Sequence, residues 1–301
     1  MGQVPGVRAA GSPKPRHRPE PPGYTPLGKC CVPCAHDDRG VPLDRHDQSF
    51  GPRLPVAPQD VPMVPTVSSV ERACSSTMPD PSSQASSVRS VKDVKIPGGG
   101  SFTGQVNSSQ RPHGEGVHRY PDNSVYDGQW VEGAAHGSGE LRLPSGRSYS
   151  GSWQAGLKHG QGAEHYDTGA VYRGSFEGGI KEGIGTFTWA SGATYSGDFH
   201  SGQFHGEGRL YWPDKHEYSG QWRSGLMHGV GKLEWADGKS YTGHYQDGQR
   251  HGPGVFTWPD GSLCKGRWEG GKMHGSGTYV NAEGESRHGR WLHGERQYWT
   301  D

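Results

Sequence analysis

The sequence predicts an all-β protein: an elongated, single-layer antiparallel meander of tandem 23-residue β-hairpins, preceded by a disordered tail. Three observations predict this fold: a fixed period, alternation of aromatic and polar residues within each period, and turn signals at fixed offsets. A helical period of 3.6 residues is not found in the repeating region.

The period is clearest at one aromatic position, which recurs every 23 residues. Gly follows it two residues later and an aromatic residue four residues later. Phe102 opens an earlier copy that is displaced by one residue, and Gly289 with Trp291 begins a further one. Residues 102–301 are therefore predicted to hold eight repeats and a partial ninth. The position is occupied by Tyr126, Tyr149, Tyr172, Tyr195, Tyr218, Tyr241 and Cys264.

Residues 1–101 differ sharply in composition from the repeats. They hold 17 of the 23 prolines and no Trp, and their only aromatic residues are Tyr24 and Phe50. Such a segment cannot bury enough apolar surface to offset the entropy of ordering, so it is predicted to be disordered.

Within one repeat, alternate residues predict two strands with one aromatic face. Tyr218 and Trp222 lie on one face of the first strand, while Gln221 lies on the polar face. Leu233 and Trp235 alternate in the second strand in the same way. The pattern is weaker where His118 and Glu164 replace the apolar residue, and those repeats are predicted to pack less well. Asp237-Gly238 predicts a two-residue hairpin turn, and the other turn is predicted between Gly225 and Gly229.

Glycines next to the aromatics predict rings that lie flat over neighbouring backbone, where a Cβ would stop them. A single sheet is expected to cover such rings only in part, and partly exposed aromatic surface marks binding sites. The sequence therefore predicts a partner-binding groove on this face, lined by Tyr195, Trp212, Tyr218, Trp235, Tyr241 and Trp258.

The pattern Tyr-x-Gly-x-Trp, then His-Gly-x-Gly, then Asp-Gly, at 23 residues, resembles the MORN (membrane occupation and recognition nexus) repeat. The fullest copies begin at Tyr126, Tyr195, Tyr218 and Tyr241. The resemblance implies an elongated β-meander that serves as a scaffold, as in radial-spoke heads, junctophilins, parasite cortical proteins and plant lipid kinases. The proline-rich segment cannot supply the core of an accompanying catalytic domain.

Seven histidines share one place in the repeat, but a pitch of ~10 Å is too long for them to share one ion. A turn histidine bonded to nearby backbone is the expected role. A nucleophile elbow or phosphate loop is not found, so neither an enzyme nor a cofactor or metal site is predicted. The histidines are His113, His136, His159, His205, His228, His251 and His274.

The tail has one dense feature, "KCCVPCAH". Three interpretations remain open: zinc binding through Cys31, Cys34 and His36, acylation of Cys30, Cys31 and Cys34, or plain disordered sequence.

Two functions remain as hypotheses. The first is a non-catalytic scaffold that binds cytoskeletal, axonemal or cortical proteins through the groove, and also binds a second copy of itself through open strand edges. The second is a module that binds phosphoinositide membrane. The array carries 19 basic and 22 acidic residues. This balance disfavours nucleic-acid binding and gives no general electrostatic attraction to an anionic membrane. The odd cysteine count, with four of five in the tail, predicts a location inside the cell.

Overall fold

The protein is one open antiparallel sheet in which every strand pairs with the next along the chain. The computed structural model describes residues 88–96 and 99–300. The predicted all-β meander of hairpins is confirmed. The strands are β1 (Arg89–Val94), β2 (Ser101–Val106), β3 (Pro112–Arg119), β4 (Val125–Val131), β5 (Ala134–Arg142), β6 (Ser148–Gln154), β7 (Leu157–His165), β8 (Val171–Glu177), β9 (Ile180–Thr188), β10 (Thr194–His200), β11 (Gln203–Tyr211), β12 (Glu217–Arg223), β13 (Leu226–Glu234), β14 (Ser240–Gln246), β15 (Gln249–Thr257), β16 (Leu263–Glu269), β17 (Lys272–Val280), β18 (Ser286–Leu292) and β19 (Glu295–Trp299).

The sheet extends beyond the predicted array at its N-terminal end, and the predicted partial ninth repeat forms a hairpin at the other. Strand β1 lies within residues 1–101, which the sequence analysis assigned to the tail, and it pairs with β2. Its Val91 and Val94 pack against the core. At the other end, β18 and β19 complete a ninth hairpin, with a last strand of five residues. The rest of the predicted tail, residues 1–87, lies outside the described residues.

From β4–β5 onward, the two strands of each hairpin are joined by a two-residue turn, represented by Ser224-Gly225 between β12 and β13, whereas residues 107–111 join β2 to β3. Both residues have positive φ, at 49° and 80°, which defines a type I′ turn. The Gly225 N–H donates to the carbonyl of Phe204 at 2.9 Å, so each turn is bonded to the preceding hairpin. The prediction that this turn lies between Gly225 and Gly229 was wrong: Gly229 lies inside β13, beside a bulge.

Consecutive hairpins are joined by longer turns, as at residues 235–239 between β13 and β14. The Trp235 N–H donates to the Lys239 carbonyl, and the Gly238 N–H donates to the Trp235 carbonyl, both at 2.9 Å. Gly238 has a φ of 88°. Residues 236–238 thus form a three-residue loop with a glycine bulge, closed by the bond between Trp235 and Lys239. The predicted turn at Asp237-Gly238 was right in position, but its predicted two-residue type was wrong.

Aromatic rings form a continuous chain of edge-to-face contacts along one face of the sheet, here called the inner aromatic ladder. Tyr218, for example, contacts Trp222 of its own hairpin at 5.1 Å and Tyr245 of the next at 5.2 Å between ring centroids. Edge-to-face pairs are a favoured aromatic geometry. The ladder consists of Tyr126, Trp130, Tyr149, Trp153, Tyr172, Phe176, Tyr195, Phe199, Tyr218, Trp222, Tyr241, Tyr245 and Trp268.

Paired glycines let these rings lie against the backbone. A Cβ on Gly231 would come within 2.4 Å of the Tyr218 hydroxyl, and one on Gly220 within 2.4 Å of the Gly231 Cα. The predicted role of the glycines is thus confirmed. The expectation that a single sheet covers its rings only in part was wrong for the ladder, because flat-lying rings and neighbouring hairpins together bury them almost completely.

Candidate functional site: the aromatic face

The six residues of the predicted groove separate into two groups in the structure. Tyr195, Tyr218 and Tyr241 are fully buried in the inner aromatic ladder. Their hydroxyls donate to backbone carbonyls within their own strands, such as that of Gln221 at 2.9 Å from the Tyr218 hydroxyl. These three tyrosines therefore belong to the core and cannot line an accessible groove. The sequence pattern assigned these tyrosines to the correct face of the sheet but could not predict how deeply they are buried.

The three tryptophans of the predicted groove belong to a separate line along the sheet. Each follows the second strand of a hairpin and starts a longer turn, and Trp189 holds the same place one hairpin earlier. We call Trp189, Trp212, Trp235 and Trp258 the tryptophan row. Trp189 and Trp212 are buried, whereas Trp235 and Trp258 are partly exposed. The accessible aromatic surface on this side of the sheet therefore lies at the longer turns and is provided by Trp235 and Trp258.

The indole N–H groups distinguish the row from the ladder. In the ladder, the Trp222 Nε1–H donates to the Gly208 carbonyl at 3.1 Å, and Trp130 and Trp153 donate to equivalent glycines. In the row, the Nε1 atoms of Trp212 and Trp235 are buried without an acceptor among the described residues. Buried donors normally have partners, so these two are exceptions.

Sequence reasoning missed the residues that cover the ladder. Phe204 stacks on Tyr195 with centroids 3.9 Å apart, and the Arg250 guanidinium lies 4.6 Å from the Trp268 ring. The Lys158 ammonium lies 5.3 Å from the Tyr149 ring. Successive members of this set stand 46 residues, or two repeats, apart, each in the position before a repeated histidine. That register was visible in the sequence, but its mixed chemistry hid the shared role.

One of the two repeats that were predicted to pack less well, the one with Glu164, contains a buried ionic cluster. The Glu164 carboxylate is fully buried. Its Oε1 accepts hydrogen bonds from Lys158 Nζ at 2.7 Å and from the Arg147 guanidinium at 2.6 Å, and its Oε2 accepts one from the Tyr166 hydroxyl at 2.9 Å. Burial alone raises the pKa of Glu164, but Lys158 and Arg147 outweigh that effect and hold the pKa below its usual value.

The repeated histidines lie near the type I′ turns and have varied partners. His113 Nδ1 is 3.6 Å from a Glu132 carboxylate oxygen, and His228 Nδ1 is 3.9 Å from one of Asp247. Within the described part of the chain, His, Cys, Asp and Glu side chains form no group of three or more suited to a metal ion. The predicted bonding of these histidines to nearby backbone stays a prediction.

The opposite, polar face carries a shallow depression of about 670 Å³ toward the C-terminal end. Val230, Pro253 and Val255 supply apolar lining, and Lys265 and Arg267 supply positive charge. In the residues that the structure covers, neither cation is in an ion pair with an acidic side chain. This is a second surface with the chemistry to bind a ligand, here an anionic one.

Two sequence predictions concern other parts of the chain. Cys30, Cys31 and Cys34, with the proposed zinc or acyl chemistry, lie outside the described residues. Cys264 is buried in the core. No helix within the described ranges has the length and apolar character needed to span a membrane.

Comparison with known proteins gives one strong result. Eight consecutive segments match the MORN repeat and together cover more than half of the chain: residues 111–125, 126–146, 149–171, 172–194, 195–217, 218–240, 241–263 and 264–286. A search of the curated proteins finds no match.

Solved structures give only distant likenesses. The Drosophila melanogaster SAS-4 (dCPAP) TCP domain, in complex with a proline-rich motif of Ana2, is 9% identical, with a TM-score of 0.35 over 59% of this chain and 90% of that chain. The wild-type TCP10 domain of Danio rerio CPAP is 13% identical, with a TM-score of 0.25 over 69% and 98%. These TM-scores are too low to carry an argument.

Proposed function

Because the chain belongs to the MORN repeat family, we propose that it is a non-catalytic scaffold whose array binds protein partners through the exposed edge of the tryptophan row. One observation carries this proposal: Trp235 and Trp258 stay partly exposed on consecutive hairpins, although the ladder beside them is sealed. Buried Trp side chains dominate the energy of many protein interfaces.

The proposal extends to the class of partner. Cytoskeletal, axonemal or cortical proteins inside the cell are the partners that the family resemblance implies. A second copy of the chain is a further candidate, since among the described residues β1 pairs only with β2 and β19 only with β18. Unpaired strand edges are templates for additional strands.

Site-specific photo-crosslinking tests the proposed surface. A benzophenone amino acid in place of Trp258 should capture discrete proteins from a cytoskeletal extract. The same probe in place of Ile184, which is 73% exposed on the polar face, serves as the matched control. Capture of the same proteins in equal yield from both positions would contradict the proposal.

A second candidate function is phosphoinositide binding, favoured by the depression at Lys265 and Arg267. Phosphate groups are bound by such paired cations. Vesicle binding that is lost in a Lys265→Glu/Arg267→Glu variant and kept in Trp235→Ala would support this candidate over the scaffold.

A further inference from the structure

Two hydrogen-bond donors of the tryptophan row lack acceptors. The indole N–H groups of Trp212 and Trp235 lie on consecutive hairpins, in equivalent positions, and neither has an acceptor among the described residues. Trp212 is only 5% exposed. An aromatic surface with unused indole donors is the chemistry that binds proline-rich segments, whose backbone carbonyls accept hydrogen bonds and whose rings pack on aromatic side chains.

The pitch of the row matches the pitch of such a ligand. Consecutive hairpins are separated by two strand spacings, which amount to about 10 Å. A polyproline II helix rises about 9.3 Å over three residues. A segment with proline at every third position can therefore present one equivalent residue to each hairpin.

The chain itself contains a segment with this spacing. Pro52, Pro55 and Pro58 are three residues apart in "PRLPVAP". About 30 residues separate Pro58 from β1, and at about 3.3 Å per residue they span up to about 100 Å. The turn at Trp235 lies twelve strand spacings from β1, or about 58 Å. The segment is therefore long enough to reach the row.

We propose that residues 52–58 bind along the tryptophan row of the same chain, with backbone carbonyls accepting hydrogen bonds from the indole N–H groups of Trp212 and Trp235. Docking includes a small rotation of both rings that turns these groups toward the ligand. The tail then competes with outside partners for the row. The inference rests on the proposed function in one respect: both use the same surface.

The first test uses the indole resonances of the ¹⁵N-labelled full chain. Ten tryptophans give ten indole signals, assigned through single Trp→Phe variants. In a Pro52→Ala/Pro55→Ala/Pro58→Ala variant, the Trp212 and Trp235 signals should shift and exchange with solvent about tenfold faster, since a hydrogen bond to them is lost. A Pro5→Ala/Pro33→Ala/Pro42→Ala variant, without this spacing, should match the wild type. Unchanged spectra in the first variant would overturn the inference.

The second test supplies the segment as a peptide of residues 50–60 to the first variant. Saturable shifts at Trp212 and Trp235 are expected. Affinity should fall about three- to tenfold in Trp235→Phe, which keeps a ring but removes the donor. It should stay unchanged in Trp222→Phe, whose N–H is bonded within the ladder. Equal losses in both would overturn the inference. If the Trp258 crosslinking experiment captures partner proteins but the peptide does not bind, only the docking of residues 52–58 is rejected. If neither partner capture nor peptide binding is seen, the scaffold function is rejected as well.

Discussion

Trp222 and Gln221 are adjacent in sequence and have opposite surroundings. Trp222 is 2% exposed and donates to the Gly208 carbonyl, whereas Gln221 lies on the polar face and bonds Glu207 and the Val230 N–H. Trp222→Ala should lower the free energy of unfolding by about 3–5 kcal/mol. Gln221→Ala should lower it by about 1 kcal/mol. Denaturant unfolding of the two variants measures both changes, and equal losses of unfolding free energy would contradict the assignment of Trp222 and Gln221 to opposite faces.

Gly231 is a second residue whose surroundings permit a sharp prediction. Any Cβ there meets the Tyr218 ring and hydroxyl at 2.4–2.7 Å. Gly231→Ala should therefore displace the ring and cost about 1–3 kcal/mol, as overpacking does elsewhere. Lys232→Ala, on the exposed face next to it, is the control and should have little effect in the same thermal melts. A neutral Gly231→Ala would show that the ring does not lie flat in solution.

Much of the residue-level picture was predictable, because alternation fixes which side chains share a face. Tyr218 and Trp222 were assigned correctly for that reason. Depth was not predictable: whether Tyr218 lines a groove or is sealed depends on the next hairpin, whose Tyr245 ring packs edge-to-face against it at 5.2 Å. Glu164 was also misjudged, because its partners Lys158 and Arg147 stand 6 and 17 residues away.

At the scale of the element, the type I′ turns set the hairpin geometry. Ser224 has a φ of 49°, a region that Asn tolerates better than other side chains. Ser224→Asn should therefore raise the melting temperature slightly, and Ser224→Val should lower it. A Val variant as stable as the wild type would contradict the turn assignment.

The turns also show why position was easier to predict than type. Asp-Gly is a strong signal for a reversal of the chain, and it did mark one. The two-residue turn uses Ser224-Gly225 here and Ala155-Gly156 elsewhere, which are weaker signals locally. The position of this turn is fixed instead by the hydrogen bond from the Gly225 N–H to the Phe204 carbonyl of the preceding hairpin, which local sequence patterns do not reveal.

The ionic cluster in β7 predicts a pH-dependent stability. Glu164 has a lowered pKa in the folded protein, so its contribution is present above its usual value of 4.5 and is lost as the pH falls through the folded value. Glu164→Gln should cost about 3–5 kcal/mol at neutral pH, because it removes the buried negative charge that compensates the desolvation of Lys158 and Arg147.

The difference between wild type and Glu164→Gln should narrow progressively in urea unfolding below pH 4.5. Glu140→Gln removes an exposed partner of Arg142 and should cost under about 1 kcal/mol. A Glu164→Gln penalty that is constant with pH would contradict the ionic account.

For the whole molecule, the balance of charge separates the two candidate functions. The array as a whole has no cationic excess, so membrane binding would have to rely on the local cations Lys265 and Arg267 and would weaken with salt. Binding through the tryptophan row buries rings, which salt does not screen. The same experiment can therefore assign the function and the surface.

The salt dependence of binding by the full chain tests the scaffold most directly. Co-sedimentation with cytoskeletal filaments and with vesicles containing phosphatidylinositol bisphosphate should be compared at about 50 and about 500 mM salt, on either side of strong screening. We expect filament-bound protein at both concentrations, lost in Trp235→Ala and kept in Lys265→Glu/Arg267→Glu. The scaffold function would be contradicted by an absence of filament binding at both salt concentrations, together with vesicle binding that disappears at high salt and in the Lys265→Glu/Arg267→Glu variant.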